Sequence, residues 1–422
     1  MFKETLYGLD KKGGVKVWSI GVELDTPGMP NFGAKLTISH GKIDGKQTTE
    51  AESFTEGKQG RNALEQAIFE AKARTKKQID KNYRRTVEEL TQLPLLPMLA
   101  LDYLKVGHRV KYEDGVDVSN KLDGLRLLAK CISEGVVELL SRTGQPYVIP
   151  HIAAELATFM RPGDVLDGEI YLHGEALQDI TSAAKRTDTQ AAIDKALRKK
   201  AKADQMEADP KVTDHVWHQA ELEADAELRE AELIHRIRPQ LRYVIFDVPS
   251  DRPWHERYNE LVMEWMGWRI PVTRKFIEVI RYTRVYSFEE VKALHKVAVS
   301  EGYEGVMLRN RYGMYESGKR SGDLQKYKEF LDSEFEVTDY SLDKDGSIIF
   351  TCKNDLNDLS FCVVFGSREE NAAMLAVIHE LMQKYLKVKY QTRYKKTLLP
   401  QFPTGIMFRE GKFIGGEFVP SE

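Results

Sequence analysis

Lys121-Leu122-Asp123-Gly124-Leu125-Arg126 lies between two runs of strand character, 116–118 and 125–132. A lysine at a strand-to-turn junction, beside a glycine, can bring its amine close to a phosphate. Gly124 removes side-chain bulk where a ligand must approach, and Arg126 can fork onto ribose or phosphate oxygens. Used as a nucleophile, the lysine must be partly deprotonated, which burial or a neighbouring cation favours. Taken alone, the hexapeptide also fits a surface Lys-Asp turn.

Further motifs follow in order. Ser141-Arg142-Thr143-Gly144 comes fifteen residues after Arg126, and Asp167-Gly168-Glu169 closes a strand-like run. Tyr243-Val244-Ile245-Phe246-Asp247-Val248 is an apolar strand holding an aromatic-acid pair. Glu304-Gly305-Val306-Met307-Leu308-Arg309 puts an acid at the mouth of another apolar strand. Lys326-Tyr327-Lys328 places two lysines on one strand face, with Arg320 six residues upstream of the first. Each has a plain reading of its own: a turn acid, a core strand, a solvated edge. Together they supply a lysine nucleophile, two acids able to hold Mg²⁺, an aromatic ring for a base and several cations for phosphates. That inventory matches nucleotidyl transfer.

Around these motifs the 422 residues are too many for one ordinary domain. A hydrophobic fraction of 42% with 30% charged residues is that of a packed soluble chain and excludes wholesale disorder. No apolar run reaches membrane-spanning length, and Met1-Phe2-Lys3-Glu4-Thr5 has no charged-then-apolar signal pattern. Cys131, Cys352 and Cys362 are too few and scattered for a disulfide framework or a zinc module, so a reducing cytoplasm is expected. The net charge of −3 excludes a uniformly basic nucleic-acid coat while allowing local patches.

Three domains are expected. Residues 1–90 form a small α+β accessory domain with strands at 15–24 and 34–39, then a helix from 62 to about 90. Residues 61–85 carry eight Lys/Arg against three Asp/Glu, either a solvated helix face or a phosphate-facing surface. The prolines of 91–97 mark an extended linker. Residues 91–330 hold the chemistry, interrupted at 183–237 by a charged stretch with no glycine and only Pro210, read as two long helices. Residues 331–422 show short strands around turn signals, among them 343–346, and a helix at 369–385, the pattern of a small oligonucleotide-binding (OB) barrel.

The ordered set KxDGxR, SRxG, DGE, FD, EGVMLR and KxK resembles the covalent nucleotidyltransferase superfamily, and within it the ATP-dependent DNA ligases of viral type. Pro97-Met98-Leu99-Ala100, the run from Leu172-His173-Gly174-Glu175 to Ile180, and Phe402-Pro403-Thr404-Gly405-Ile406-Met407-Phe408-Arg409 are also similar to what such ligases carry. The resemblance covers about 97–412. It implies an α+β fold, an adenylation domain of antiparallel sheets with helices followed by an OB-fold barrel. It further implies ATP and Mg²⁺ as cofactors and nicked double-stranded DNA as partner. The enzyme would work as a monomer in bacterial cytoplasm, encoded by a virus.

Carried onto this chain, the resemblance makes Lys121 the nucleophile that captures AMP. Arg126 and Arg142 would hold ribose and phosphate, and Phe246 would stack on adenine. Glu169 would meet the ribose or a metal, Glu304 the metal, and Arg320, Lys326 and Lys328 the α-phosphate. Asp123 and Gly124 complete the lysine turn, and Arg409 or Lys412 would approach the leaving pyrophosphate. Two positions depart from the pattern. Many ligases have glutamate two residues before the nucleophile, where this chain has Ser119, and Arg409-Glu410-Gly411-Lys412 only approximates the last motif. Residues 1–90 faintly resemble a WGR-like nucleic-acid-binding module, through Trp18-Ser19-Ile20, the 57–62 stretch, Glu65-Gln66-Ala67 and Tyr83. The alternatives are an RNA ligase, an mRNA-capping guanylyltransferase, or a nucleic-acid-binding protein on an inactive ligase scaffold.

Overall fold

The computed structural model describes residues 2–10, 13–25, 33–92, 95–207, 212–343, 346–382, 384–394, 397–415 and 417–421. Leu93 and Pro94 of the linker, Pro210, and the turn residues Lys344 and Asp345 lie outside the described residues. The chain divides into two compact units, Met1–Tyr327 and Lys328–Glu422.

The first unit opens with an antiparallel meander, β1 (Phe2–Leu9), β2 (Val15–Leu24), β3 (Ala34–Lys42) and β4 (Gln47–Phe54). The helix Ala63–Ile79 packs on it. Asn62 and Glu65 start this helix with reciprocal side-chain-to-backbone bonds of 2.9 Å, a capping box. Ala63, Ala67, Ala71 and Thr75, spaced four apart, form its buried stripe against Leu6, Trp18, Ile20 and Leu36. The helix stops well short of residue 90. Asn82 takes a left-handed φ of 66°, and Arg84 then pairs with Tyr7, covering the free edge of β1.

Eleven strands follow: β5 (Leu99–Asp102), β6 (Val116–Lys121), β7 (Leu125–Ser133), β8 (Val136–Ser141), β9 (Pro146–Tyr147), β10 (Val165–Tyr171), β11 (Arg242–Asp247), β12 (Ile277–Val279), β13 (Thr283–Val285), β14 (Gly305–Asn310) and β15 (Arg320–Tyr327). They build a six-stranded sheet in the order β12-β11-β10-β7-β8-β9 and a five-stranded sheet in the order β13-β6-β14-β15-β5. Neighbours run antiparallel except at β11–β12 and β15–β5. The decisive connection is the shortest one. Lys121 ends β6 in one sheet and Leu125 begins β7 in the other, so Leu122-Asp123-Gly124 is the crossing between the two sheets.

The six-stranded sheet buries Leu127, Leu166, Ile170 and Ile245 against Ile152, Leu156, Ile180 and Ile234 from the helices. The stretch from 183 to 237 does form two long helices, Thr189–Glu207 and Asp214–Ile237, and also takes in the end of Leu177–Lys185. Ala196, Ala203, Ala224 and Ala231 are the buried contact residues of this hairpin, and Lys199–Glu227 (3.0 Å) is one of several ion pairs between its helices.

The second unit is a closed five-stranded barrel of β16 (Leu331–Leu342), β17 (Ile348–Lys353), β18 (Ser360–Phe365), β19 (Tyr385–Tyr390) and β20 (Thr404–Arg409), ordered β16-β17-β18-β20-β19. The hairpin β21 (Gly411–Ile414) and β22 (Glu417–Pro420) follows. Strict alternation in β18 and β19 turns Phe361, Val363, Leu386 and Val388 into a core that includes Phe335 and Phe350. The helix expected at 369–385 is shorter: helical turns end at Leu381, and Tyr385 belongs to β19, whose period-two pattern seats Leu386 and Val388 inside. The fold is therefore α+β, paired sheets with helices followed by a barrel of OB type.

Candidate active site

The crossing puts Lys121 opposite Gly305 of β14. Glu304, the residue before β14, donates its N–H to the Lys121 carbonyl at 3.1 Å, and its carboxylate forms an ion pair with the Lys121 ammonium. Gly124 is required by proximity: a Cβ there would lie 2.3 Å from the Ile170 carbonyl oxygen and 2.8 Å from Cγ of Glu169. The Gly124 backbone N–H lies beside the Glu169 carboxylate. Burial pushes the Glu169 carboxyl up to about 7, against the opposing pull of Lys121, Arg126 and that N–H.

Arg126 is held more firmly than its expected role requires. Nε and Nη2 donate to the two carboxylate oxygens of Asp167, each at 2.6 Å, and Nη2 also reaches the Met98 carbonyl at 3.1 Å. Asp167 is fully buried and accepts a third bond from the Tyr315 hydroxyl at 2.7 Å. The guanidinium lies 4.4 Å from the Phe246 ring centroid, a cation–π contact. Nη1 is the part of Arg126 left for a ligand.

Next to Phe246, Asp247 anchors a second buried network, with Arg257 Nε at 2.8 Å and Arg309 Nη1 at 2.6 Å. Burial alone would raise its carboxyl, but Arg309 and Arg257 hold it below the usual range. Arg309 Nε also donates to the Tyr282 hydroxyl at 3.2 Å, which in turn donates to the Phe246 carbonyl at 3.1 Å.

These groups surround a cavity of about 850 Å³. Ser119, Lys121, Gly124, Arg126, Arg142, Glu169, Phe246, Arg320 and Lys326 all line it, brought from both sheets. Glu304 and Asp123 are outside the lining, and Glu304 reaches the site through the lysine. Lys328, Arg409 and Lys412 belong to the second unit. There Lys328 donates to the Gln391 side chain, Arg409 pairs with Glu334 at 3.0 Å, and Lys412 sits exposed on β21. Lys328 thus does not share a strand with Lys326, because β15 ends at Tyr327.

Sequence reasoning missed Asp167, Tyr315, Arg257, Arg309 and Tyr282, which hold the expected residues in place, and Lys185 of the inserted helices, which lines the cavity. The only signal was that Asp167, Asp247 and Arg309 stood inside apolar strand motifs.

Glu169 and Glu304 are the carboxylates beside the lysine. Among the described residues, no cluster of three or more His, Cys, Asp or Glu would bind a metal ion through protein atoms alone. Mg²⁺ is commonly held by one or two carboxylates plus phosphate oxygens, so this donor set fits an ion arriving with a triphosphate.

A lysine amine at the seam of two sheets, on a cavity lined by both cationic and apolar side chains, is the arrangement of a nucleotidyltransferase. The family model described as ATP dependent DNA ligase domain matches residues 97–328. The DNA ligase of African swine fever virus (isolate Tick/Malawi/Lil 20-1/1983) is 26% identical over 399 residues, covering 89% of this chain and 83% of that ligase. That of strain Badajoz 1971 Vero-adapted is 26% identical over 342 residues, 76% and 70% of the two chains. A solved Lig E DNA ligase shares the fold, with a TM-score of 0.53 at 20% identity over 75% of this chain and 100% of that one. The chain belongs to the ATP-dependent DNA ligase family, and its activity is that of an ATP-dependent DNA ligase.

Proposed function

We propose that Lys121 is the residue that carries AMP, and that nicked double-stranded DNA is the substrate sealed. The observation that carries this reading is the position of Lys121, at the sheet crossing, beside Glu304 and on the cavity that also holds Arg142, Arg320 and Lys326.

The ammonium of Lys121 gives a proton to the paired Glu304 carboxylate. The freed Nζ lone pair then forms a bond to the α-phosphorus of ATP, while the bond from that phosphorus to the bridging oxygen breaks. Pyrophosphate leaves with the electron pair. In the second step an oxygen of the DNA 5′-phosphate attacks the same phosphorus and the P–N bond breaks, returning the amine. In the third, the 3′-hydroxyl attacks the 5′-phosphorus, loses its proton, and AMP departs. Covalent capture divides one hard condensation into displacements with good leaving groups.

Arg142, Arg320 and Lys326 would hold phosphate oxygens through these steps, acting as fixed positive charges where negative charge accumulates. Phe246 would support the base, with Arg126 Nη1 toward the ribose. Glu169 would hold Mg²⁺, joined by Glu304 once the lysine proton has passed on to solvent, and the ion would supply further neutralisation of phosphoryl charge. Residues 1–90 would grip duplex DNA, a role supported by the exposed Lys72, Lys76 and Lys77 on the helix Ala63–Ile79. Lys328, Arg409 and Lys412 would contact phosphates from the second unit. The enzyme would act as a monomer in a reducing bacterial cytoplasm, from a viral gene.

The test is intact mass after incubation with ATP and Mg²⁺. Wild type should gain the mass of AMP and Lys121→Ala should not. Nick sealing by Lys121→Ala would overturn the assignment.

A further inference from the structure

The groups assigned to the base and ribose and the amine that reacts stand on different sheets. Arg126 of β7, Glu169 of β10 and Phe246 of β11 belong to the six-stranded sheet, with Arg142 one residue past β8. Lys121 of β6, and Arg320 and Lys326 of β15, belong to the five-stranded sheet. A nucleotide held by one sheet is therefore attacked by an amine carried on the other. The separation of the sheets sets the distance from Nζ to the α-phosphorus.

Besides the covalent crossing at 122–124, two buried carboxylates of the six-stranded sheet reach over to the five-stranded one. Asp247, at the end of β11, meets Arg309 of β14 at 2.6 Å. Asp167 of β10 accepts from the Tyr315 hydroxyl at 2.7 Å, and Tyr315 lies in the connection from β14 to β15. This second tie closes into a cycle. The Met98 N–H donates to the Tyr315 oxygen at 3.2 Å, which leaves the hydroxyl proton for Asp167. Arg126 Nη2 donates to the same Asp167 oxygen at 2.6 Å and to the Met98 carbonyl at 3.1 Å. Asp167 and Met98 are both buried, and Leu99, the residue after Met98, pairs with Arg320. The cycle thus runs from Arg126 on one sheet to the strand pair carrying Arg320 on the other.

We infer that Tyr315 is a positioning residue for AMP capture: by clasping Asp167 to Met98 it fixes the separation of the two sheets, and with it the approach of Lys121 to the α-phosphorus. The inference rests on the assignment of Lys121 above and adds what sets the reach of that amine. It also separates binding from chemistry. Contacts made within the six-stranded sheet survive a small spreading of the seam. Displacement at phosphorus does not, because it needs the reacting atoms about 3–3.5 Å apart and aligned.

The experiment follows lysyl-AMP formation in a single turnover for wild type, Tyr315→Phe and Tyr243→Phe. Tyr315→Phe removes one hydroxyl, while the Asp247–Arg309 pair and the crossing still join the sheets. Tyr243→Phe removes another buried hydroxyl, whose bonds to the Leu166 and Leu127 carbonyls stay inside the six-stranded sheet. The first-order rate constant at saturating ATP reports the chemistry of folded molecules, and the amplitude reports how many are folded. Tyr315→Phe should lower the rate constant about 10- to 100-fold, with the half-saturating ATP concentration within about threefold of wild type. Pyrophosphate added to the adenylylated variant breaks the same P–N bond in reverse and should act more slowly by the same factor. Tyr243→Phe should keep its rate constant within about threefold, whatever its amplitude. A rate constant for Tyr315→Phe within threefold of wild type would overturn the inference, and so would equal slowing of Tyr243→Phe. Either result leaves capture of AMP by Lys121 standing, whereas failure of wild type to take up AMP removes that assignment and this inference together.

Discussion

Arg126 and Asp167 meet in a two-pronged ion pair across the β7–β10 ladder, with both N···O distances at 2.6 Å and the carboxylate fully buried. The pair joins the lysine turn to the middle of the six-stranded sheet. Removing one partner leaves the other charge without its counter-ion, against a carboxylate position that is itself fully buried. Asp167→Asn should therefore lower unfolding stability by about 3–5 kcal/mol, read as a shift in the urea midpoint. Arg126→Lys should also destabilise, because an ammonium cannot span both oxygens and the Met98 carbonyl.

Gly124 yields a sharper prediction. A methyl group there meets the Ile170 carbonyl oxygen at 2.3 Å, a backbone atom held in the β7–β10 ladder. Either the lysine turn or β10 has to shift. Gly124→Ala should destabilise by about 1–3 kcal/mol. Its AMP uptake should fall by more than that loss of folded protein explains, measured at a temperature where the variant remains folded.

The motifs that carry chemistry were legible because they are local. Lys121, Gly124 and Arg126 sit within six residues of one another, Glu169 and Phe246 stand in short apolar strands, and Glu304 stands at the mouth of another. The supports were not legible, because each joins distant parts of the chain: Arg126 to Asp167 and Tyr315, Asp247 to Arg257 and Arg309. Nothing in the composition of residues 315 or 257 distinguishes them from surface tyrosines and arginines. The early end of the helix at Ile79 was hidden for the same reason, since the Tyr7–Arg84 pairing that replaces it joins residues 77 positions apart.

Glu169 should leave a signature in pH. Its carboxyl is raised from 4.5 to about 7, chiefly by burial, so between those values the folded state holds more proton than the unfolded chain. Stability contributed by this group is therefore present at low pH and falls as pH rises from about 4.5 to about 7, then levels off. Glu169→Gln should flatten that part of the stability profile and be more stable than wild type at pH 8 by about 1–2 kcal/mol. AMP uptake by wild type should rise through pH 7 as the carboxylate becomes available for the metal, and the variant should lack that rise. Parallel stability profiles for the two proteins would show that burial does not control this group.

The lysines on the helix Ala63–Ile79 provide the last test. Its buried stripe of Ala63, Ala67, Ala71 and Thr75 leaves Lys72, Lys76 and Lys77 exposed, as a duplex-binding face requires. Just beyond this helix, the Asn82 side-chain amide donates to the Thr143 carbonyl at 3.3 Å, on the cavity wall and one residue from Arg142. Charge reversal of the three lysines to glutamate alters the surface and leaves that hydrogen bond and the helix stripe alone. Affinity for nicked duplex should fall, and the slope of log affinity against log salt should become shallower by about 0.9 for each DNA phosphate no longer neutralised. AMP uptake from ATP should stay at the wild-type rate, since none of the three lines the cavity. Unchanged affinity and an unchanged salt slope would assign these lysines to solvent alone and leave DNA binding to the remainder of the chain.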